Sequence, residues 1–326
     1  YDSFAATASD VVAVNYRIDE YDKMHEIHPD KAIVATESGA SNNNRGIYFE
    51  ENGCERKGGY ASAYDRKRVA FGSSYGDAIK QSETHEYIAG TFLWAGMEYR
   101  GEARWTLTIC GSGIYDNCAM EKDNCYLVKS CWNKEPMLHI MPSWNLKGHE
   151  GEKASVDVYS SGDEVELFLN GKSLGRKPAG KKSHYTATYE VAYESGTLKA
   201  VAYESGKVIG KYELVTADSI KRLKACRVTE NERDVAYVKA WLEDEHGICN
   251  PQETQRRIIH AKVTGNGVLE GFGTANPSSE EDYFSDTVTT FEGSALAVVR
   301  WKDSNSKEPA VLRLWTDDEI EVCVNI

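Results

Sequence analysis

The stretch Ala32-Ile33-Val34-Ala35-Thr36-Glu37-Ser38-Gly39 decides how the first part of the chain is interpreted. Small and apolar residues precede a carboxylate, and Pro29 and Gly39 bound the run. This pattern is typical of a short strand that is buried on both faces of a parallel sheet. A Glu at the carboxyl end of such a strand lies where α/β barrels place their catalytic groups. The stretch alone equally allows a Glu that points into solvent, so the neighbouring segments have to distinguish the two.

Apolar runs on either side of this stretch predict two more strands, at residues 10–17 and 88–94. Helices are predicted between and after the strands, over residues 18–28, 64–87 and 122–132. Repeated alternation of strand and helix predicts βαβ units and a parallel sheet. A closed barrel of this class has eight strands, so the three predicted here leave strand edges and apolar faces uncovered. The missing strands then come from an upstream part of the protein or from an associated chain.

Beyond Pro136 the sequence changes to short alternating strands that are separated by turn signals. Asn170-Gly171 predicts a type I′ hairpin turn. The strands group into two units, and the first of these, about 80 residues long, has the size of a small β-sandwich. The clearest predicted strands are 156–159, 164–169, 186–191, 198–203 and 207–215 in the first unit and 235–243, 258–263, 294–301 and 311–315 in the second.

Composition bounds the class of protein. The chain has 326 residues, which predicts two or three domains, and its 41% hydrophobic and 27% charged residues are typical of a globular protein. The formal net charge of −13 argues against a nucleic-acid or anionic-membrane partner. No run approaches the roughly 18 apolar residues that a membrane helix needs.

Cysteine and histidine spacing predicts neither a metal site nor a disulfide framework. The eight Cys include no C-x-x-C pair, although four of them lie between Cys110 and Cys131. Free buried thiols are the favoured interpretation in a chain of this size. His25, His28 and His85 lack the i,i+4 spacing of a metal site. We therefore predict no metal and no cofactor.

Several motifs, taken in register, resemble glycoside hydrolase family 2, the β-galactosidase group. Those that resemble the last part of its catalytic barrel are Val14-Asn15-Tyr16-Arg17, Thr36-Glu37-Ser38, Gly90–Glu102, Gly113–Cys118 with Lys122-Asp123, and Trp132. Pro142-Ser143-Trp144-Asn145 and Val165–Leu174 resemble the sandwich that follows the barrel in many bacterial members. The resemblance covers essentially the whole chain. It implies the C-terminal portion of a (β/α)8 TIM barrel at 1–136, followed by immunoglobulin-like β-sandwiches at 137–217 and 218–326.

The resemblance also implies roles for three side chains. Family members are retaining enzymes, which use two carboxylates about 5–5.5 Å apart. Glu37 matches the nucleophile, Tyr16 the tyrosine that hydrogen-bonds it, and Trp94 the tryptophan that forms the floor of the sugar subsite. The alternatives are an ordinary strand-end tyrosine for Tyr16 and a core residue for Trp94.

Two loops next to these strands supply further candidates for substrate contact. Asn43, Asn44 and Arg45 follow the predicted nucleophile and could bind sugar hydroxyls. Glu98 and Glu102 follow Trp94, where they could contact substrate or a cation, although solvated loop acids are the favoured interpretation. Family members can use cations near the site, but no ligand set is visible in this sequence.

The family's acid/base, a Glu in an Asn-Glu pair after an earlier strand, has no match. The only such pair, Asn231-Glu232, falls in a predicted turn of the second sandwich. Without a proton donor an enzyme loses a contribution of about 10²–10⁴-fold. We therefore expect the acid/base to lie outside this chain and the isolated chain to be inactive.

The sequence thus predicts a fragment of a retaining hydrolase that acts on a β-linked galactoside or a related oligosaccharide. The alternatives are a β-glucuronidase or β-mannosidase of the same family and, in another class, a non-catalytic carbohydrate-binding or interaction module. The expected partner is the upstream part of the same enzyme, and a homo-oligomer is left open. Because the first residue, Tyr1, is not a native start, the sequence does not fix the compartment, and the bacterial cytoplasm is favoured.

Overall fold

The computed structural model describes residues 4–48, 60–66, 68–103, 107–228, 234–251 and 256–326. The chain divides into two compact units. The first comprises Tyr1–Pro142, Ser155–Tyr189 and Lys199–Tyr212, and the second Ser143–Ala154, Glu190–Leu198 and Glu213–Ile326. The division into three domains stays a prediction.

The first unit begins with a parallel sheet of three strands in the order β1-β2-β3. Its elements are α1 (Phe4–Ala8), β1 (Val11–Asn15), α2 (Tyr21–Ile27), β2 (Ala32–Gly39), α3 (Tyr75–Thr84), β3 (Ile88–Trp94), β4 (Tyr99–Arg100), β5 (Ile109–Cys110) and α4 (Asp123–Trp132). The predicted βαβ alternation is therefore confirmed. The sequence missed α1 and the small antiparallel pair of β4 and β5.

The sheet buries one apolar face against α2. Ile33 lies at the centre of a cluster with Val12 and Val14 of β1 and with Tyr21 and Met24 of α2. Within the described residues the outer strands each pair on one side only. Val11 on β1 is 43% exposed and Phe92 on β3 is 64% exposed. The uncovered edges and apolar side chains that the sequence predicts are thus present.

Helix α3 is shorter than the predicted helix over 64–87, which was wrong at its start. The Ser74 side chain accepts a hydrogen bond from the Asp77 amide at 3.0 Å, and Asp65 accepts one from the Tyr75 amide at 3.0 Å. These bonds satisfy amides that have no partner within the first turn of a helix. The helix therefore begins at Tyr75, and the described residues before it form a loop that reaches the end of β2.

Two sheets follow, in the orders β10-β7-β6 and β12-β11-β8-β9. Their strands are β6 (Leu138–Met141), β7 (Lys153–Ser160), β8 (Glu164–Leu169), β9 (Lys172–Pro178), β10 (Thr186–Ala192), β11 (Thr197–Glu204) and β12 (Lys207–Val215). Asn170 and Gly171 between β8 and β9 have φ values of 49° and 80°, which agrees with the predicted type I′ turn. The sequence missed β6.

Helix α4 packs against this part of the first unit. Leu127 of α4 shares a buried cluster with Met141 of β6 and Tyr159 of β7. His139 Nε2 lies 2.8 Å from Asp123 Oδ1, and the His139 ring stacks on Tyr126 with centroids 3.8 Å apart. These buried contacts fix the beginning of α4.

The second unit contains two four-stranded sheets, in the orders β13-β14-β18-β16 and β17-β15-β19-β20. Their strands are β13 (Arg222–Arg227), β14 (Val235–Glu243), β15 (Ile258–Gly265), β16 (Gly267–Gly273), β17 (Thr287–Thr289), β18 (Ser294–Trp301), β19 (Ala310–Thr316) and β20 (Glu321–Asn325). Val238 and Ala297 of one sheet and Ile259 and Leu312 of the other share one fully buried core, so the sheets pack face to face. The sequence missed β13, β16, β17 and β20. Among the residues that the structure describes, no helix has the length and apolar composition needed to cross a bilayer.

Candidate active site

The carboxyl ends of the three parallel strands bring the predicted site residues to one edge of the sheet. Asn15 at the end of β1 is in register with Glu37, and Gly39 at the end of β2 is in register with Trp94. Tyr16 directly follows β1. This edge is the one where α/β proteins bind ligands.

Tyr16 and Glu37 form a hydrogen-bonded pair. The Tyr16 hydroxyl donates to Glu37 Oε2 at 2.9 Å, and the Tyr16 amide donates to the Glu37 carbonyl at 2.5 Å. Tyr16 and Arg17 have φ values of 56° and 52°, in the left-handed region that ordinary residues rarely adopt. Such backbone persists where the surroundings fix it and is frequent at functional sites. The predicted contact is confirmed, whereas the catalytic roles of the two residues stay predictions.

The surroundings keep the Tyr16 phenol protonated. Burial raises the pKa of Tyr16, and the hydrogen bond to Glu37 and the negative charges of Glu37 and Glu102 raise that pKa further. A protonated phenol remains a hydrogen-bond donor to Glu37 at neutral pH. Glu37 itself is half-buried.

Trp94 belongs to a hydrogen-bonded chain with two residues of the following loop. Its indole Nε1 donates to the Tyr99 hydroxyl at 3.2 Å, and that hydroxyl donates to Glu102 Oε2 at 2.6 Å. The Trp94 carbonyl accepts from the Tyr75 hydroxyl at 3.2 Å. Trp94 is half-buried, so it is not a fully enclosed core residue, and its role as a subsite floor stays a prediction.

Phe71 lies beside Tyr16 at the candidate site and was not predicted from the sequence. Its ring contacts the Tyr16 ring edge-on, with centroids 4.9 Å apart, and its side chain is 65% exposed. The turn that carries it is bound to the end of β2, since the Ser73 amide donates to the Gly39 carbonyl at 2.7 Å. A side chain at Gly72 would lie 2.5 Å from that same carbonyl, so only glycine fits there. The residue escaped notice because the sequence assigned this turn to a helix.

A buried lysine organises the residues that were predicted to face the sugar. Lys122 is 1% exposed, and its ammonium donates to Glu98 Oε1 at 2.8 Å and to the carbonyls of Asn43 at 2.8 Å and Gly111 at 2.9 Å. Glu98 is 5% exposed, so its interpretation as a solvated loop acid was wrong. Burial raises the pKa of Glu98, against the opposing effect of Lys122. Sequence reasoning missed this function of Lys122, because it is separated from Glu98 by 23 residues.

The other candidates of the loop after Glu37 are also engaged within the protein. Arg45 Nε donates to Asp116 Oδ2 at 2.7 Å. Asn43 and Asn44 are buried, and the Asn44 side chain accepts from the Ala61 amide at 2.8 Å. This arrangement favours a scaffolding role for Asn43, Arg45 and Glu98, and their contact with substrate stays an untested prediction.

The remaining sequence candidates differ in outcome. Cys118 and Cys125 are free and buried, as predicted, whereas Cys226, Cys249 and Cys323 are free but exposed, because they lie on outer strands or a turn of the second unit. The pair Asn231-Glu232 lies outside the described residues.

One group of side chains in the described part of the second unit could bring three metal-ligating atoms together. Asp218, Glu245 and His246 have such atoms within 4.8 Å of one another, and all three residues are exposed. Exposed acidic groups of this kind are common without an ion. The group therefore does not alter the prediction of no metal.

Two family descriptions match segments of the chain. Residues 151–210 match a domain of unknown function, DUF4982. Residues 223–311 match the glycoside hydrolase family 2 C-terminal domain 5.

Similar proteins extend the match to nearly the whole chain. The β-galactosidase BoGH2A of Bacteroides ovatus is 28% identical over 97% of this chain and 38% of its own length. A putative β-glucuronidase of Formosa agariphila is 35% identical over 55% of this chain and 18% of its own length. The chain therefore spans less than half the length of these relatives.

Solved structures give the same relationship. A family 2 glycosyl hydrolase of Bacteroides cellulosilyticus superposes with a TM-score of 0.77 and 28% identity, over 97% of this chain and 40% of that one. A β-glycosidase of Bacteroides vulgatus has the same fold, with a TM-score of 0.85 and 23% identity over 97% of this chain and 45% of that one. The mostly β architecture is thus that of the C-terminal part of such enzymes. Residues 223–311 thus match a C-terminal domain of glycoside hydrolase family 2, and nearly the whole chain is similar to members of that family.

Proposed function

We propose that this chain is the C-terminal part of a retaining β-galactosidase and carries its nucleophile, Glu37. In this proposal the parallel sheet is a segment of a (β/α)8 barrel, and the two pairs of sheets are immunoglobulin-like sandwiches. The observation that carries the proposal is the Tyr16–Glu37 hydrogen bond at the carboxyl edge of that sheet. The similarity to BoGH2A supports the choice of galactoside.

The geometry suits nucleophilic attack by a carboxylate. Tyr16 occupies Glu37 Oε2, which leaves Oε1 to attack the anomeric carbon. The bond from that carbon to the aglycone oxygen breaks as the ester to Glu37 forms, and the oxygen takes a proton from the acid. Water then attacks the same carbon and gives its proton to the group that acted as the acid, while Glu37 departs as a carboxylate, which gives net retention. The Tyr16 phenol stabilises the carboxylate before attack and again as it departs.

The acid/base of this mechanism is assigned to a part of the enzyme outside this chain. Glu98 is unsuited to it, because its carboxylate is buried and bound to Lys122. The missing barrel strands belong to the same upstream part. The isolated chain is therefore expected to be inactive on ordinary galactosides.

The alternative substrates are a β-glucuronide, as the name of the Formosa agariphila relative suggests, and a β-mannoside. A non-catalytic module would be favoured by a Glu37 sealed away from solvent and a Trp94 wholly within a core. Both side chains are instead half-buried, which supports the enzyme.

The test is Glu37→Gln in the full-length enzyme. This change removes the charge and nucleophilicity of Glu37 at nearly constant shape, so turnover of an aryl β-galactoside is expected to fall by roughly 10⁴-fold or more. Unchanged circular dichroism and unfolding midpoint serve as the control for folding. Rates close to wild type in a folded variant would remove Glu37 from this role, and ready turnover by the isolated chain would contradict the missing acid.

A further inference from the structure

Glu102 is a second carboxylate that the structure holds at the candidate active site. Its Oε2 accepts the Tyr99 hydroxyl at 2.6 Å, and Tyr99 in turn accepts the Trp94 indole at 3.2 Å. The Trp94 and Tyr99 rings meet edge-on, with centroids 5.9 Å apart. Glu102 is therefore fixed relative to Trp94, although its side chain is exposed.

The negative charge of Glu102 acts on the Tyr16 phenol. Its carboxylate and that of Glu37 both raise the pKa of the Tyr16 phenol, so the two negative charges act on the same group. Neither Glu37 nor Glu102 is among the carboxylates that pair with a lysine or arginine in the described part of the chain.

Three cations of the first unit are bound to carboxylates other than Glu37 and Glu102. The buried Lys122 pairs with Glu98 at 2.8 Å, and the half-buried Arg45 pairs with the buried Asp116 at 2.7 Å. The Arg17 guanidinium binds Glu20 at 2.7 Å. Glu37 and Glu102, each held by a tyrosine hydroxyl, thus contribute two negative charges on the side of the sheet where the sugar is proposed to bind.

We propose that Glu102 makes this site selective for neutral glycosides by repelling sugars that carry a carboxylate. The inference rests on the proposed function and deepens it, because it separates a galactosidase from a glucuronidase. A neutral sugar can donate a hydroxyl to Glu102, whereas a uronic acid adds a third negative charge. For any two like charges about 7 Å apart in a medium with an effective dielectric constant of about 20–40, such a repulsion corresponds to roughly 10- to 50-fold in kcat/KM.

The test compares two substrates that differ only at C6, an aryl β-galactoside and the matching aryl β-galacturonide. In the full-length enzyme the ratio of their kcat/KM values is expected to favour the galactoside and to fall as salt screens the repulsion. Glu102→Gln keeps an acceptor for Tyr99 and removes the charge. It is expected to reduce the ratio about 10-fold, through faster reaction of the galacturonide, and to weaken its dependence on salt.

Glu86→Gln is the matched control. Glu86 is exposed and precedes β3, so it lies at the opposite edge of the parallel sheet, and its neutralisation changes the net charge equally. This variant is expected to keep the wild-type ratio. Equal changes of the kcat/KM ratio in Glu102→Gln and Glu86→Gln would show a general effect of net charge and would overturn the proposal.

A binding measurement separates this inference from the proposed function. Phenyl β-thiogalactoside and its galacturonide counterpart resist hydrolysis, so their Kd values report selectivity without turnover. Wild-type enzyme is expected to bind the neutral sugar more tightly, and Glu102→Gln to reduce that difference. Three outcomes would overturn the proposal: an unchanged Kd ratio in Glu102→Gln, a wild-type preference for the galacturonide, or no binding of either sugar. A failure of Glu37→Gln to affect catalysis would instead overturn only the proposed function.

Discussion

Two pairs of carboxylates in the first unit lie in contrasting environments. At the sheet edge Glu37 and Glu102 accept hydrogen bonds from the phenols of Tyr16 and Tyr99. In the buried cluster, which we define as Lys122, Glu98, Arg45 and Asp116, each carboxylate pairs with a cation. A phenol leaves the negative charge in place and available, whereas a buried cation neutralises it. The carboxylates at the sheet edge are therefore suited to catalysis, whereas those of the buried cluster are suited to stabilising the fold.

Loss of an interaction is expected to cost more free energy in the buried cluster than at the sheet edge. Burying an ion pair costs several kcal/mol of desolvation per ion, and loss of one partner exposes the other to that cost. A half-buried hydrogen bond to a charged group contributes only about 1.5–3 kcal/mol. Substitutions should therefore affect mainly folding in the buried cluster and mainly catalysis at the sheet edge.

The largest effect on stability is expected for Lys122→Met. It leaves the buried Glu98 without its cation and should lower the free energy of unfolding by about 3–5 kcal/mol. Urea unfolding of the chain, followed by tyrosine and tryptophan fluorescence, measures the change. Lys80→Met, at an exposed position of α3, is the control and should cost less than about 0.5 kcal/mol.

Two further arms sharpen this prediction. Burial raises the pKa of Glu98, so the folded protein holds the Glu98 proton more tightly than the unfolded chain does; the stability linked to that proton is present at low pH and is lost as pH rises through the folded value. The Lys122→Met variant should therefore be least impaired at acidic pH. Adding Glu98→Met should restore part of the loss, because no unpaired charge then remains. A Lys122→Met variant with the same free energy of unfolding as wild type would show that the buried cluster does not stabilise the fold.

A smaller effect, confined to catalysis, is expected for Tyr16→Phe. Loss of the hydrogen bond to Glu37 should lower kcat by about 10- to 100-fold, with little change in the unfolding midpoint. Because the pKa of Tyr16 is raised, the phenol is neutral throughout the working range, and the alkaline limb of the pH–rate profile should be the same in both proteins. Disappearance of that limb in Tyr16→Phe would show that the phenol ionises during catalysis.

The sequence predicts the sheet edge well, because its information is local. Apolar runs end in Tyr16, Glu37 and Trp94, and parallel pairing then brings these ends together. The buried cluster escaped prediction, since Glu98 and Lys122 meet only in the folded chain. In the sequence Glu98 has the features of an exposed loop residue, and only the fold shows that Lys122, next to the start of α4, pairs with it in a buried site.

The missed elements have similar physical reasons. The predicted helix over 64–87 followed a long mixed pattern, but the Ser74 cap ends the preceding loop one residue before Tyr75. Strand β16 contains three glycines, which weaken a strand signal and are tolerated here because its neighbours pack closely against it. Strand β13 carries Arg and Lys on its exposed face.

The most direct test of the account is to trap the glycosyl-enzyme. The probe is 2,4-dinitrophenyl 2-deoxy-2-fluoro-β-galactoside. Its fluorine slows both formation and hydrolysis of the glycosyl-enzyme, but its dinitrophenolate leaving group needs no acid and so keeps formation fast. The glycosyl-enzyme therefore accumulates. With the full-length enzyme we predict release of one dinitrophenolate per active site and a fluorogalactosyl ester that peptide mass spectrometry locates on Glu37. A label on any other residue of an enzyme that turns over the parent galactoside would contradict the account.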